Sequence, residues 1–98
     1  MIAIVATMHI QASKAEEFEA VVRELEVQVA THEPDCQLYR MARDRKDPSI
    51  YRSLEIFRDQ AAIDFHMTQD HFKSALVRMR ACLTETASTV EFMDTVSS

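Results

Sequence analysis

The spacing of apolar residues changes along the chain, and each change predicts a different kind of element. In residues 2–10 apolar positions recur at every second residue, which is typical of a strand. One face of this strand would carry Ile2, Ile4, Ala6, Met8 and Ile10. From Ser13 onward the spacing becomes helical, and Glu16 follows Ser13 at the distance that predicts a capping box. Pro34 is expected to end this helix, because the residue before a proline avoids the helical conformation.

The rest of the chain shows the same change of period. Residues 36–43 and 50–58 are predicted to form two strands separated by a polar turn, and the second of them places Leu54 and Ile56 on the face opposite Glu55. Asp59 is expected to cap a short helix, and Thr68 is expected to cap the helix after it. Residues 88–96 are predicted to form the last strand.

This order of elements, β-α-β-β-α-β, indicates an α+β fold of the ferredoxin-like kind. In such a fold two helices cover one face of a four-stranded antiparallel sheet, and 98 residues suit one domain over residues 1–98. The other face of the predicted sheet is rich in apolar residues, whose exposure to water would be costly. We therefore expect a homodimer in which a second copy covers this sheet face.

Composition excludes several classes of function. The net charge is −5 without a basic patch, so neither nucleic acid nor an anionic membrane is an expected partner. No apolar stretch has the features of a signal peptide or membrane helix, and Cys36 and Cys82 are too few for a disulfide framework, so a cytoplasmic protein is expected. The chain contains no glycine, which rules out the glycine-rich nucleotide-binding motifs.

Candidate chemistry is concentrated in residues 54–73, where a carboxylate, two histidines and three aromatic rings predict a small-molecule pocket. His66 suits a general acid or base near neutral pH, although a histidine satisfied by hydrogen bonds at the edge of the core fits the pattern too. Glu55 lies within a strand, where it either orients His66, binds a substrate hydroxyl, or forms a buried ion pair with Arg40 or Arg52.

The remaining candidates also have two interpretations. His71 is placed either to bind substrate or to cap a helix, and Lys73 either to meet an anionic group or to lie in solvent. Five aromatic residues either line a pocket or form the core: Tyr39, Tyr51, Phe57, Phe65 and Phe72. No metal site is predicted, because His66 and His71 do not share a helix face.

Four segments are informative in combination: the strand Ile2 to Ile10, the run Glu33-Pro34-Asp35-Cys36-Gln37-Leu38-Tyr39, the pair Glu55 and Phe57, and the pattern His66-x-Thr68-x-x-His71-Phe72-Lys73. Together they resemble the antibiotic biosynthesis monooxygenase family of small dimeric α+β barrel proteins. Members of this family oxygenate quinol-like or polycyclic aromatic substrates without metal or flavin. One relative isomerises the phosphorylated dione formed in autoinducer-2 breakdown, and the stretch from Glu55 to Lys73 resembles that isomerase.

The resemblance implies a cofactor-independent oxidoreductase in which His66, supported by Glu55, removes a proton from a quinol-like substrate. It implies a set of substrate contacts: Thr7, Tyr39, Tyr51, Phe57, Phe65, His71 and Phe72. An isomerase of a small phosphorylated dione and a non-catalytic, metabolite-binding dimer remain as alternatives.

Three positions depart from the family pattern. Asp35 stands where glycine is usual, and Phe57 stands where many of the monooxygenases carry tryptophan. The haem-degrading branch uses an Asn-Trp-His set, and Thr7, His66 and Leu76 occupy those positions here. Haem degradation is therefore not expected.

Overall fold

A computed structural model describes residues 1–97, so Ser98, the last residue of the predicted domain, lies outside the described residues. The elements in chain order are β1 (Ile2–His9), α1 (Ala15–His32), β2 (Cys36–Arg43), β3 (Ile50–Phe57), α2 (Gln60–Thr68), α3 (Asp70–Arg80) and β4 (Thr89–Asp94). A short 3₁₀ helix, Ala12–Lys14, precedes α1. Within residues 1–97, no helix combines the length and the apolar character needed to cross a membrane.

The four strands form one antiparallel sheet in the order β2-β3-β1-β4, which confirms the ferredoxin-like α+β fold. Glu55 of β3 is paired with Ile4 of β1 and with Tyr39 of β2, and Ile4 is also paired with Phe92 of β4. Directly paired residues point to the same side of a sheet. This row of four side chains therefore lies on the side that the helices partly cover.

Helix α1 forms because its apolar residues recur every three or four positions and bury one stripe against the rest of the chain. The buried residues of this stripe are Phe18, Val21, Val22, Leu25 and Val29. The capping box predicted at Ser13 and Glu16 is wrong, because the helix begins at Ala15 after the 3₁₀ turn and has no side-chain cap. The helix ends at His32, and the Glu33 N–H donates to the carbonyl oxygen of Val29 at 2.9 Å.

The caps of the two later helices differ from each other. Asp59 caps α2 as predicted, since its carboxylate accepts the Ala62 N–H at 2.9 Å. The cap predicted for α3 is wrong. The Thr68 hydroxyl turns back into α2 and donates to the carbonyl oxygen of Phe65 at 2.7 Å, and Gln69 precedes α3 without a side-chain cap.

The sheet is unevenly covered. All six residues of β4 are exposed, whereas Tyr51, Ser53 and Phe57 of β3 are buried. On the face away from the helices, Leu38, Leu54 and Met93 are 37%, 39% and 43% exposed. An apolar sheet face is thus open in the single chain, as the strand pattern indicates.

Candidate functional site

The carboxylate of Glu33 lies at the centre of the site. Glu33 is the C-cap residue of α1, where the chain turns towards β2, and its side chain is only 2% exposed. Buried carboxylates are costly unless hydrogen-bonded. The chain meets this requirement by bringing α2 and α3 against the end of α1.

Two histidine rings, one from each of these helices, bind the Glu33 carboxylate. Nδ1 of His66 lies 2.8 Å from Oε1 and 3.0 Å from Oε2. Nε2 of His71 lies 2.5 Å from Oε2. The side chain of His66 is 4% exposed and that of His71 is 13% exposed, so His71 lies on the solvent side of the cluster.

These contacts assign the ring tautomers, because an ionised carboxylate only accepts hydrogen bonds. His66 donates from Nδ1 and His71 donates from Nε2. Nε2 of the neutral His66 ring is then unprotonated. Among residues 1–97, no fully buried side-chain nitrogen or oxygen lacks a hydrogen-bond partner, and none of the described residues bonds Nε2 of His66. We infer that this nitrogen reaches accessible space, where a substrate proton can meet it.

Three aromatic rings surround His66. Its ring centroid lies 5.3 Å from that of Tyr39, 5.3 Å from that of Phe57 and 4.2 Å from that of Phe72. All three were among the predicted substrate contacts. They exclude water from most of the imidazole, so they contribute to the burial that affects its basicity.

Burial lowers the pKa of His66 from its ordinary value of 6.5, because the charged form loses its hydration. The hydrogen bond and the negative charge of Glu33 act in the opposite direction, and the charge of His71 adds to the lowering. The neutral imidazole is therefore the dominant form near neutral pH, as a general base requires.

Glu55 does not support His66 in the way that the sequence suggested. Its Oε2 accepts the Ser53 hydroxyl at 2.6 Å, and the carboxylate that orients His66 belongs to Glu33. The ion pair considered with Arg52 is also absent, since Arg52 pairs with Asp44 at 2.9 Å. The alternation of β3 explains the placement, because it puts Glu55 beside Ser53 on the helix-facing side of the sheet.

The environment of Glu55 nevertheless distinguishes it from a surface carboxylate. Burial raises the pKa of Glu55, and the negative charge of Glu33 raises it further, while the Ser53 hydrogen bond acts in the opposite direction. Two carboxyl groups with different environments thus occupy one region: Glu33 bound to two imidazoles, and Glu55 bound to a hydroxyl. Such an arrangement is common where acid and base roles are divided.

Two of the predicted substrate contacts lie elsewhere. Thr7 is paired with Arg52 and Thr89. It lies three positions after Ile4 in β1, so its side chain points to the opposite face of the sheet, away from the helices. Tyr51 lies in the main core, where its ring centroid is 4.8 Å from that of Phe18.

The Tyr51 hydroxyl donates to Glu19 at 2.5 Å, so its polar atom already has a partner. Lys73, considered above for an anionic group, is exposed. The structure thus brings together Tyr39, Phe57, His66, His71 and Phe72 but not Thr7 or Tyr51.

A pocket of about 330 Å³ opens between the α1–β2 connection, which includes Glu33, and α2. Its lining is mostly apolar and consists of Glu33, Pro34, Asp35, Cys36, Ala61, Ala62 and Phe65. Its volume suits a small molecule. Phe65, a predicted substrate contact, lies at this pocket and is 47% exposed.

Cys36 lies in this pocket without the features of a nucleophile. Burial raises the pKa of its thiol to about 12, and the charges of Glu33 and Glu55 contribute in the same direction. The thiolate that a nucleophile or metal ligand needs is therefore scarce at neutral pH. Within residues 1–97, no three His, Cys, Asp or Glu side chains are grouped so as to hold a metal ion.

Glu33 lies at the centre of this cluster, yet the sequence pattern assigns no role to it beyond its place in the run that carries the resemblance. The available signal was its position, a carboxylate directly before Pro34 at the predicted end of an amphipathic helix. Its partners are 33 and 38 residues away along the chain, so no helical or strand spacing indicates the contact.

Comparison with known proteins connects this geometry to one family. The profile of the family described as antibiotic biosynthesis monooxygenase matches residues 1–78. A protein from Caulobacter crescentus CB15, provisionally named an antibiotic biosynthesis monooxygenase, is 33% identical with a TM-score of 0.93. That match covers 98% of this chain and 90% of the other.

Two further solved structures are similar over nearly the whole chain. One, named an antibiotic biosynthesis monooxygenase, is 29% identical with a TM-score of 0.88, and the match covers 98% of this chain and 99% of the other. The second, a conserved protein from Methanosarcina mazei Go1, is 25% identical with a TM-score of 0.86, and the match covers 94% of this chain and 89% of the other. The comparison with curated proteins found no match.

Proposed function

Because the chain belongs to the antibiotic biosynthesis monooxygenase family, we propose that it is a cofactor-independent monooxygenase of small quinol-like or polycyclic aromatic substrates. The observation that supports this function is the attachment of His66 to the buried Glu33 carboxylate through Nδ1, which leaves Nε2 as a base among aromatic rings.

The first step is the transfer of a phenolic proton from the substrate to Nε2 of His66. The imidazolium that forms is stabilised by Glu33, which lies 2.8 Å from Nδ1 and is 2% exposed. A carboxylate in this position orients the ring and offsets its developing charge. The proposed role of His66 is thus that of a general base and the role of Glu33 is that of its orienting partner.

The second step uses the electron-rich anion of the substrate itself. It transfers an electron to dioxygen, and the resulting pair combines to form a carbon–oxygen bond. The peroxide anion takes back the proton held by Nε2 of His66 and becomes a hydroperoxide. Its O–O bond and the C–H bond on the same carbon then break with loss of water and leave a carbonyl group, so that one oxygen atom enters the product and the other leaves as water. All electrons come from the substrate, which is oxidised from a quinol to a hydroxyquinone. Aromatic walls such as Phe57 and Phe72 would exclude bulk water from the anion.

Charge favours this reaction over isomerisation of a phosphorylated dione. A phosphate group needs nearby cations or unoccupied N–H donors. Here Glu33 and Glu55 place two carboxyl groups in the region, and Nε2 of His71 already donates to Glu33. Lys73 is exposed, so it does not offset the two carboxyl groups from within the cluster. A neutral, hydroxylated substrate therefore suits the site better than a phosphorylated one.

The function is tested by measuring oxygen uptake with a panel of quinols and hydroxylated polycyclic aromatics, in parallel with anaerobic reactions. We expect at least one member to be consumed with one dioxygen per molecule of quinone formed, and only in the aerobic arm. Turnover of a phosphorylated dione without oxygen would move the assignment to an isomerase. If every arm stays inactive while metabolites still bind, the non-catalytic interpretation replaces this one.

We also propose that the protein is a homodimer that buries the open sheet face. Val5 is paired with Leu54, and Ala3 is paired with Ile56 and Met93, so apolar side chains lie side by side across three strands of this face, with charged residues only around them. Leu54 and Met93 are 39% and 43% exposed in the single chain. A domain of this size has a small core of its own, so burial of such a surface contributes substantially to stability.

Leu54→Glu is expected to convert the dimer to a monomer. Each of the two copies would place one charge in the proposed interface. We expect the dissociation constant to rise about 100-fold, which corresponds to a loss of ~3 kcal/mol in the free energy of association. Sedimentation velocity over a range of concentrations measures this shift. The control is Val77→Glu, the same kind of change at an α3 residue that is 68% exposed, which should remain dimeric. An unchanged dimer in Leu54→Glu would rule out this face.

A further inference from the structure

His71 differs from His66 in its exposure and in the nitrogen that it uses. His66 meets Glu33 through Nδ1, whereas His71 meets it through Nε2 at 2.5 Å. Both rings therefore depend on one carboxylate, and each has its second nitrogen free of a described partner. The position of Glu33 is then determined from two sides at once.

Both carboxylate oxygens of Glu33 are in use. Oε1 receives His66, and Oε2 receives His71 together with the longer 3.0 Å contact from His66. No other described side chain donates to this carboxylate. Without His71, Oε2 would retain only that longer contact, and the carboxylate would be free to rotate towards His66 or away from it.

The Glu33 carboxylate is shared between two N–H donors. The N–H that His71 gives to Oε2 offsets part of the negative charge of Glu33, so less of that charge is available to favour a second proton on the His66 ring. His71 lies on the solvent side of the cluster, with its side chain 13% exposed against 4% for His66.

We propose that His71 is a positioning residue that acts through Glu33: its N–H holds the carboxylate in place and offsets part of its charge, so that His66 keeps its unprotonated Nε2. The proposal rests on the proposed function, in which His66 is the base. In this role, His71 extends the pH range over which the unprotonated Nε2 of His66 remains available.

Other groups that face the two rings do not reproduce this effect. From α1, the exposed His32 stacks on His71 with ring centroids 5.9 Å apart, but it does not reach Glu33. From the sheet, Tyr39 packs against His66. Cys36 and Glu55 also lie close enough to Glu33 for its charge to affect them. None of these groups donates a hydrogen bond to the Glu33 carboxylate.

The test is an NMR titration of the ring nitrogens in the free protein, which needs no substrate. In the unmodified chain we expect the neutral His66 ring to carry its proton on Nδ1, facing Glu33, and to leave Nε2 unprotonated. If His66 carries its proton on Nε2, the proposal is overturned. Failure of the oxygen-uptake assay would not affect this result, so the two proposals fail separately.

Three variants at one position separate hydrogen bonding from bulk. His71→Gln places an amide N–H near the former Nε2 position, whereas His71→Asn is too short to do so, and His71→Ala has no donor. We expect the titration of His66 to move to higher pH in the Asn and Ala variants, with a several-fold loss of activity at pH 6, and to return towards the original in the Gln variant.

The matched control is His32→Ala, which removes the stacked imidazole but no donor to Glu33. It should leave the titration of His66 close to the original. Equal behaviour of the Gln and Asn variants would overturn the proposal. If the Ala variant does not fold, the comparison of Gln with Asn and the titration of the unmodified chain still decide it.

Discussion

His66→Gln is expected to lower kcat by about 10²–10⁴-fold, the usual contribution of a general base. Glutamine preserves much of the volume within the Tyr39, Phe57 and Phe72 rings, so the loss should reflect chemistry rather than a cavity. Its amide is a poor base, and because that amide lies near the former Nε2 position rather than Nδ1, Glu33 keeps only the N–H of His71. Rapid-mixing measurements of quinol oxidation under saturating oxygen would give kcat, with circular dichroism as the check on folding.

The pH dependence of activity and stability provides a second, independent test of the role of His66. A base must be neutral, so activity falls at low pH, and burial places this limb below the ordinary pKa of 6.5. Because the pKa of folded His66 is lowered, the unfolded chain binds the proton more readily. The contribution of His66 to stability is therefore fully present above pH 6.5. It is lost as the pH falls from 6.5 through the lower pKa of the folded state.

The matched control for both effects is His32→Gln, the same substitution at an exposed histidine of α1. It should preserve kcat and the acid limb. If His66→Gln retains more than a tenth of the original kcat, His66 is a structural histidine of the core edge and the base must be sought elsewhere.

Glu33→Gln is expected to damage both stability and turnover. Two N–H donors, Nδ1 of His66 and Nε2 of His71, face this carboxylate, and an amide offers only one acceptor oxygen. In the variant, one of the two histidine N–H groups would face the NH₂ of the new amide, or that histidine ring would change its tautomer. We expect a loss of about 2–3 kcal/mol, typical of buried bonds to charged groups, and a Tm lower by ~10 °C or more.

Turnover should fall about 100-fold or more in the same variant, because a wrong tautomer of His66 removes the base. Urea unfolding and steady-state kinetics measure the two effects separately. In the double variant with His66→Gln, the losses in kcat should not add, because both changes disable one unit. Independent, additive losses would contradict the proposed pairing.

The stability control is Glu55→Gln, an identical change at the other partly buried carboxyl group of the helix-facing side. Burial raises the pKa of Glu55, so the folded chain disfavours its ionised form at neutral pH. Removing that charge should therefore leave stability unchanged or increase it. A Glu33→Gln variant as stable as the original, or a Glu55→Gln variant equally damaged, would show that Glu33 has no special place in the fold.

Local signals in the sequence predicted most of the fold. The alternation of β1, the helical spacing of α1 and the Asp59 cap involve residues no more than a few positions apart, and all three were confirmed. The predicted caps at Ser13 and Thr68 failed, because a 3₁₀ turn and a back-bonded hydroxyl compete locally with the cap.

By itself, then, the sequence determined the order of elements and the two faces of the first and third strands. It also offered five candidate aromatic residues, of which the structure places Tyr39, Phe57 and Phe72 around His66. Tertiary structure alone decided which carboxylate serves the histidines. Glu33 and Glu55 are both plausible partners along the chain, and no periodicity distinguishes them. The choice depends on where the end of α1 meets α2 and α3, a packing of elements joined by contacts 33 and 38 residues apart. Spacing rules describe neighbours within one element, and they carry no information about such a junction.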